Sequence, residues 1–190
     1  DYYGDAIAEL ERFLKVYPTH KDLVYAYYLL AVCYYEQIVD EKKDLRSITK
    51  AKKNFNIILR DHSNTEYAID AEFKIDLIND ILAAKEMYLG RYYFDKKKWI
   101  PAINRFRVVV DEYDTTIYVE EALHRLVELH YRLGLVDEAQ KYAALLGYNY
   151  QSSQWYEASF KVINREYDKS KKPKVEKKET ILKKFKSIFK

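Results

Sequence analysis

The residues of this 190-residue chain that could do chemistry are few and badly spaced for it. Of the four histidines, His20, His62, His124 and His130, only the last two are near neighbours. Six residues apart on a helix, they project from different faces, which does not suit shared metal ligation. Carboxylates come in pairs at Asp111-Glu112 and Glu120-Glu121. General acid–base work needs a second group placed by spacing, and none is present. Solvation, or compensation of a helix dipole, accounts for Glu120 and Glu121. His130 reads as packing between helices. No glycine-rich phosphate loop, nucleophile elbow or His-Glu-x-x-His pair occurs. The single cysteine, Cys33, lies in an apolar helical stretch and reads as a structural thiol. These residues imply no catalytic centre, no metal and no cofactor.

The pattern that does recur is one of sizes. Leu89-Gly90-x-x-Tyr93 is followed nine residues on by Ala102-x-x-x-Phe106. The first half returns at Leu30-Ala31-x-x-Tyr34 and Leu126-Val127-x-x-His130, the second at Ala6/Leu10, Ala51/Phe55 and Ala139/Ala143. Small residues fall where two helices must approach closely, and large ones fill the gap between layers. This is the tetratricopeptide (TPR) signature, so the expected fold is all-α, a solenoid of TPR helix pairs.

Helices are expected at about 4–17, 21–39, 46–61, 65–94, 98–112, 117–133, 136–146 and 153–166. Only four Gly and three Pro punctuate them. Pro18 ends the first, since proline cannot continue a helix. The spacing between repeats is irregular: 45 residues from Ala6 to Ala51, 51 to Ala102, then 37 to Ala139, against ~34 in a regular array. Asp40–Arg46 reads as a charged insert. Tyr67–Phe94 reads as one elongated helix or two nearly collinear ones. Gly147–Ser153 reads as a turn-rich link.

Residues 1–166 therefore form the array, about four repeats or parts of repeats, opening on the second helix of a pair as though truncated at the N-terminus. Residues 167–190 form a tail. From 169 onward it holds ten Lys and two Glu, a net +8 against +3 for the whole chain, which leaves −5 on the rest. An acidic body with a basic tail is not the profile of a nucleic-acid binder. The composition of 167–179 predicts disorder. Beyond it Thr180 can cap a short helix, with Ile181, Leu182, Phe185, Ile188 and Phe189 on one face and Lys183, Lys184, Lys186 and Lys190 elsewhere. Such a tail can dock on an anionic surface or a partner groove, or stay solvated.

Twenty tyrosines suit a protein that binds others. Tyr27, Tyr34 and Tyr93 hold repeat positions and are expected in the core. Tyr28, Tyr35 and Tyr92 point elsewhere on the same helices, toward a contact surface or into repeat stacking. Lys96-Lys97-Lys98-Trp99 is a charged turn, with Trp99 against the repeat interface. Arg105 and Arg107 flank Phe106 as a solvated face or as protein-contact anchors.

Several stretches in order resemble the BamD family of outer-membrane assembly lipoproteins, also called ComL or YfiO. They are Pro18-Thr19-His20, Asn64-Thr65-Glu66-Tyr67-Ala68-x-Asp70-Ala71, Lys85-Glu86-Met87-x-x-Gly90-Arg91-Tyr92-Tyr93, Ala102-Ile103-Asn104-Arg105-Phe106, Val119-Glu120-Glu121-Ala122-Leu123-x-Arg125-Leu126 and Leu133-Gly134-Leu135-x-Asp137-Glu138-Ala139. Leu146-Gly147-Tyr148-Asn149-Tyr150 and Trp155-Tyr156 resemble the alphaproteobacterial branch most. The resemblance covers about 4–165. It implies a non-catalytic scaffold on the periplasmic face of the outer membrane, held by an N-terminal lipid absent from this chain. The implied partners are the POTRA domains of the barrel protein BamA, other lipoproteins of the same machinery and unfolded β-barrel proteins. It also implies Arg105 as the leading partner contact, with Asn104, Tyr92, Lys96 and Lys97 beside it. Ser63 and Asp114 depart from the family's turn proline. On the helical pattern alone, a different TPR adaptor of the chaperone co-factor type stands as the alternative.

Overall fold

The computed structural model describes residues 2–37 and 45–164. The tail helix expected over 180–190, and most of the insert expected over Asp40–Arg46, lie outside them; Arg46 itself opens a helix. The described residues form eight helices and no strand: α1 (Tyr2–Val16), α2 (Leu23–Tyr35), α3 (Arg46–Asp61), α4 (Glu66–Asp95), α5 (Trp99–Glu112), α6 (Val119–Arg132), α7 (Val136–Asn149) and α8 (Gln154–Ile163). Each packs on the next, α2 on α3, α4 on α5 and α6 on α7 most extensively, and α8 returns to α6. This is the helix-pair array expected from the recurring spacing.

The spacing residues do what their sizes suggest. Ala51, Phe55, Ala102, Phe106, Ala31 and Ala139 are fully buried. One core gathers α2, α3 and the first half of α4 around Phe55 and Ile58. A second gathers the rest of α4 with α5 and α6 around Met87 and Phe106. A third closes α6, α7 and α8 around Leu123 and Leu146. Thus α4, a single 30-residue helix and roughly 45 Å long, belongs to two cores. Its first half is buried through Ala68, Ala71 and Ile78 and its second through Ala83, Met87 and Gly90.

Two pair-closing turns share one geometry. After α6, Leu135 N–H reaches His130 O (2.9 Å) around Gly134, whose φ is +78°. After α4, Lys98 N–H reaches Tyr93 O (2.9 Å) around Lys97, whose φ is +57°. Both are helix ends closed by a residue in the left-handed region, which glycine adopts without penalty and lysine does not.

One expectation is corrected. Gly147 and Tyr148 do not open a link; α7 runs through them to Asn149. Gly147 is needed for closeness, not for a turn: a Cβ there would sit 2.6 Å from Cε2 of Tyr156 on α8.

Candidate partner-binding surface

The α4–α5 hairpin carries five of the seven residues singled out by sequence. Gly90 lets the Phe106 ring lie directly on the α4 backbone, which sets the two helices close enough for side chains one layer out to meet. Arg105 then reaches Glu86 across the hairpin, Nη1 to Oε2 at 3.0 Å, with the two side chains 42% and 18% exposed. Arg105 is thus half-committed within its own chain. At the turn, Tyr92 is half exposed and stands edge-on to Tyr93 with centroids 5.6 Å apart. Lys96 Nζ lies 6.0 Å from the Tyr92 ring. Lys96, Lys97 and Asn104 are exposed. These five do not form one patch. Glu86, which marks where Arg105 lies, and Tyr92 are six residues apart on α4, roughly 120° around the helix.

Tyr28 and Tyr35 belong to another place. Tyr28 is half-buried against the first core. Its ring stacks edge-on to Phe55 (6.3 Å) and against Tyr67 (5.2 Å), and its hydroxyl donates to Asp70 at 2.9 Å. Burial, that hydrogen bond and the Asp70 charge push its phenol up to about 12. Repeat stacking takes the side chain because α4 lies against α2 there. Tyr35 is half-buried against the same core, with Lys74 Nζ 4.7 Å from its ring centroid. Of the tyrosines expected inside, Tyr34 is buried and Tyr27 and Tyr93 are half-buried against the core. Tyr34 also donates to Glu11 (2.6 Å) and accepts from Lys50 (3.2 Å), tying three helices together.

Sequence reasoning missed an arginine–aromatic ladder. Glu121, read as a solvated helix start, receives both Nε (2.9 Å) and Nη2 (2.5 Å) of Arg91. Burial pulls its carboxyl up, yet hydrogen bonds and charge from Arg91, with Arg125 behind, hold it below the usual range. Glu120 accepts from Ser153, whose Oγ also caps α8 by accepting from Trp155 N–H (3.1 Å). The Arg125 guanidinium lies between Phe94 (5.1 Å) and Trp155 (5.8 Å), and Arg132 between Phe94 (5.4 Å) and Trp99 (5.7 Å). Guanidinium groups held over aromatic rings in this way fasten successive helices. Nothing in local spacing pairs Arg91 with Glu121, thirty residues on.

Both histidines of α6 are buried in separate surroundings. His130 Nδ1–H donates to Leu126 O at 2.8 Å, and its ring lies against Tyr142. His124 Nδ1 is 2.9 Å from Ser159 Oγ, and its ring lies against Trp155. Among the described residues no three metal-ligating side chains converge, and no helix is long and apolar enough to cross a membrane. The geometry offers an arrayed surface of helices and turns, suited to holding a partner.

The family model described as YfiO, outer membrane lipoprotein, matches residues 1–145. The chain belongs to this family. A protein from Rickettsia prowazekii (strain Madrid E), named outer membrane protein assembly factor BamD, is 46% identical over 161 residues, which is 85% of this chain. One of the same name from Caulobacter vibrioides is 41% identical over 174 residues, or 92% of this chain. A third, from Neisseria gonorrhoeae, is 30% identical over 146 residues, or 69%. The chain spans 64%, 56% and 54% of the length of those three relatives.

Proposed function

We propose that this chain is a non-catalytic scaffold subunit of the machinery that assembles β-barrel proteins in the outer membrane, working at the periplasmic face under a lipid anchor. On this reading it binds BamA POTRA domains and unfolded outer-membrane proteins and shares the assembly with other lipoproteins. The observation that carries the proposal is the similarity of 85% and 92% of the chain to two proteins named outer membrane protein assembly factor BamD. The solenoid is consistent with it, because such arrays present long surfaces built by simple stacking.

We assign two separate contact points on the α4–α5 hairpin: Arg105 first, with Asn104 beside it, and then Tyr92, Lys96 and Lys97 at the turn. Lys97 supports this assignment. It holds a left-handed backbone that glycine would hold more easily, and such departures concentrate at functional positions. Tyr35 is retained as a secondary contact; Tyr28, half-buried and engaged with Phe55, Tyr67 and Asp70, is not.

The test is titration of the cognate BamA POTRA domains into this chain, with whatever sequence precedes Asp1 restored in a parallel sample. Saturable 1:1 binding at micromolar concentration is expected. No binding at tens of micromolar in the restored sample would sink the proposal.

A further inference from the structure

The length mismatch between α4 and α5 leaves a ledge. Gly90 opposite Phe106 and Glu86 opposite Arg105 set the hairpin. Only six residues of α5 follow Phe106, so Glu112 comes level with about residue 80 of α4. The first fifteen residues of α4, roughly 22 Å, therefore run on past the end of α5. On their inner side Ala68, Ala71 and Ile78 enter the core shared with α2 and α3. On their outer side Ile69 is 75% and Phe73 60% exposed. These two lie one turn apart, with Glu66, Glu72 and Asp76 exposed around them and Asp80 half-exposed. By helical angle all six fall within roughly 120° of one another. Two large apolar side chains ringed by carboxylates are an acidic amphipathic face on which no helix of the described residues lies.

The same chain carries a matching sequence. By helical spacing in the sequence, Ile181, Leu182, Phe185, Ile188 and Phe189 would fall on one face and four lysines off it. As a helix that segment is roughly 16 Å long, shorter than the ledge. We propose that segment 180–190 docks, in the same molecule, on the α4 ledge where α5 has run out, its apolar face on Ile69 and Phe73 and its lysines toward Glu66, Glu72, Asp76 and Asp80.

Reach is consistent with this. Lys161 and Val162, at the end of α8, border a shallow hollow with Tyr131 and Arg132. Arg132 in turn lies over Phe94 and Trp99 at the far end of α4. From Phe94 back to Phe73 is 21 residues, roughly 30 Å along the helix. The sixteen residues from Asn164 to Thr180 extend to ~50 Å and as a flexible coil average about 22 Å. The ledge is within range without full extension. The charges also favour closure: a +8 tail meets a body of −5.

The test is paramagnetic relaxation in the full chain, with a nitroxide on a Ser187→Cys variant in a Cys33→Ala background. Amide signals of residues 66–80 should lose more than half their intensity, and Ile69→Ser/Phe73→Ser should restore them with helicity unchanged. Raising NaCl to 0.5 M should cut the broadening at least twofold, since exposed charge pairs are screened. Mixing spin-labelled unenriched chain with unlabelled enriched chain checks the connection. Broadening there equal to that in the single sample would assign the ledge to a second copy and overturn the intramolecular proposal. Absence of broadening at 66–80, or its appearance only with the tail bound to vesicles of anionic lipid, would overturn it as well.

Discussion

Gly90 and Phe106 are in direct backbone-to-ring contact: a Cβ on Gly90 would fall 2.5 Å from Cε1 of Phe106 and 2.9 Å from Cδ1 and Cζ. The absence of one carbon sets the spacing of the central hairpin, and with it the reach of Arg105 to Glu86. Gly90→Ala removes a residue that disfavours helices by about 1 kcal/mol, and the substitution should nevertheless destabilise. A fully buried ring has no room to yield, so a net loss of roughly 1–2 kcal/mol is expected from overpacking. Urea denaturation would measure it. Adding Phe106→Leu should cost less in the Gly90→Ala background than in the wild type.

Lys97→Gly separates strain from binding. Relief of the left-handed backbone should raise stability by up to about 1 kcal/mol, partly offset by the freer unfolded chain. If the turn contacts a partner, the same change should weaken POTRA affinity several-fold while the melting temperature rises. Calorimetry on both axes checks it. Equal affinity removes Lys97 from the surface.

Arg105→Glu alone is ambiguous, because it sets two carboxylates face to face at Glu86. The charge exchange Arg105→Glu/Glu86→Arg restores the internal pair with opposite polarity. That pair is partly exposed, so its own contribution is below about 1 kcal/mol. We expect the single variant and the exchange to lose affinity for an acidic partner surface about equally, with the exchange recovering most of the stability. Recovery of affinity in the exchange would show that Arg105 acts only by holding Glu86.

His124 should make stability sensitive to mild acid. Burial lowers its pKa below the usual 6.5, and Arg125 lowers it further, against the opposing charges of Glu128 and Glu121. The folded ring is therefore neutral at pH 7. As pH falls below about 6.5 the unfolded chain takes up the proton first, so stability drops from there down to the folded pKa. The α6–α8 contact, through Ser159 and Trp155, bears the cost. Urea midpoints at pH 7.5 and 5.5 should differ more for the wild type than for His124→Gln. Equal differences would remove His124 as the source.

Much of the fold was legible because helix pairing is written in side-chain size at fixed spacing. Ala51/Phe55 and Ala102/Phe106 marked buried positions, and all eight helices fall within a few residues of where the pattern placed them. A run with no breaker before Gly90 left one long helix or two collinear ones open, and the structure shows one. The candidate surface was legible only in part. Tyr92, Lys96, Lys97 and Asn104 are exposed, whereas Tyr28, left open between a contact surface and repeat stacking, is half-buried with its hydroxyl on Asp70, and Arg105 pairs with Glu86.

Those outcomes share a cause. The sequence by itself determined which residues form helices and which stripe each helix buries, since both depend on propensity and period along one element. Tertiary structure alone decided what faces a side chain lying beside that stripe. Gly147 looked like a turn until Tyr156 arrived from α8. Glu121 looked solvated until Arg91, thirty residues earlier, closed on it. Ile69 and Phe73 looked like any other apolar pair on α4 until α5 proved too short for any described helix to lie over them. Local pattern records the direction in which a residue points, whereas its partner depends on how far and at what angle a second element is set down.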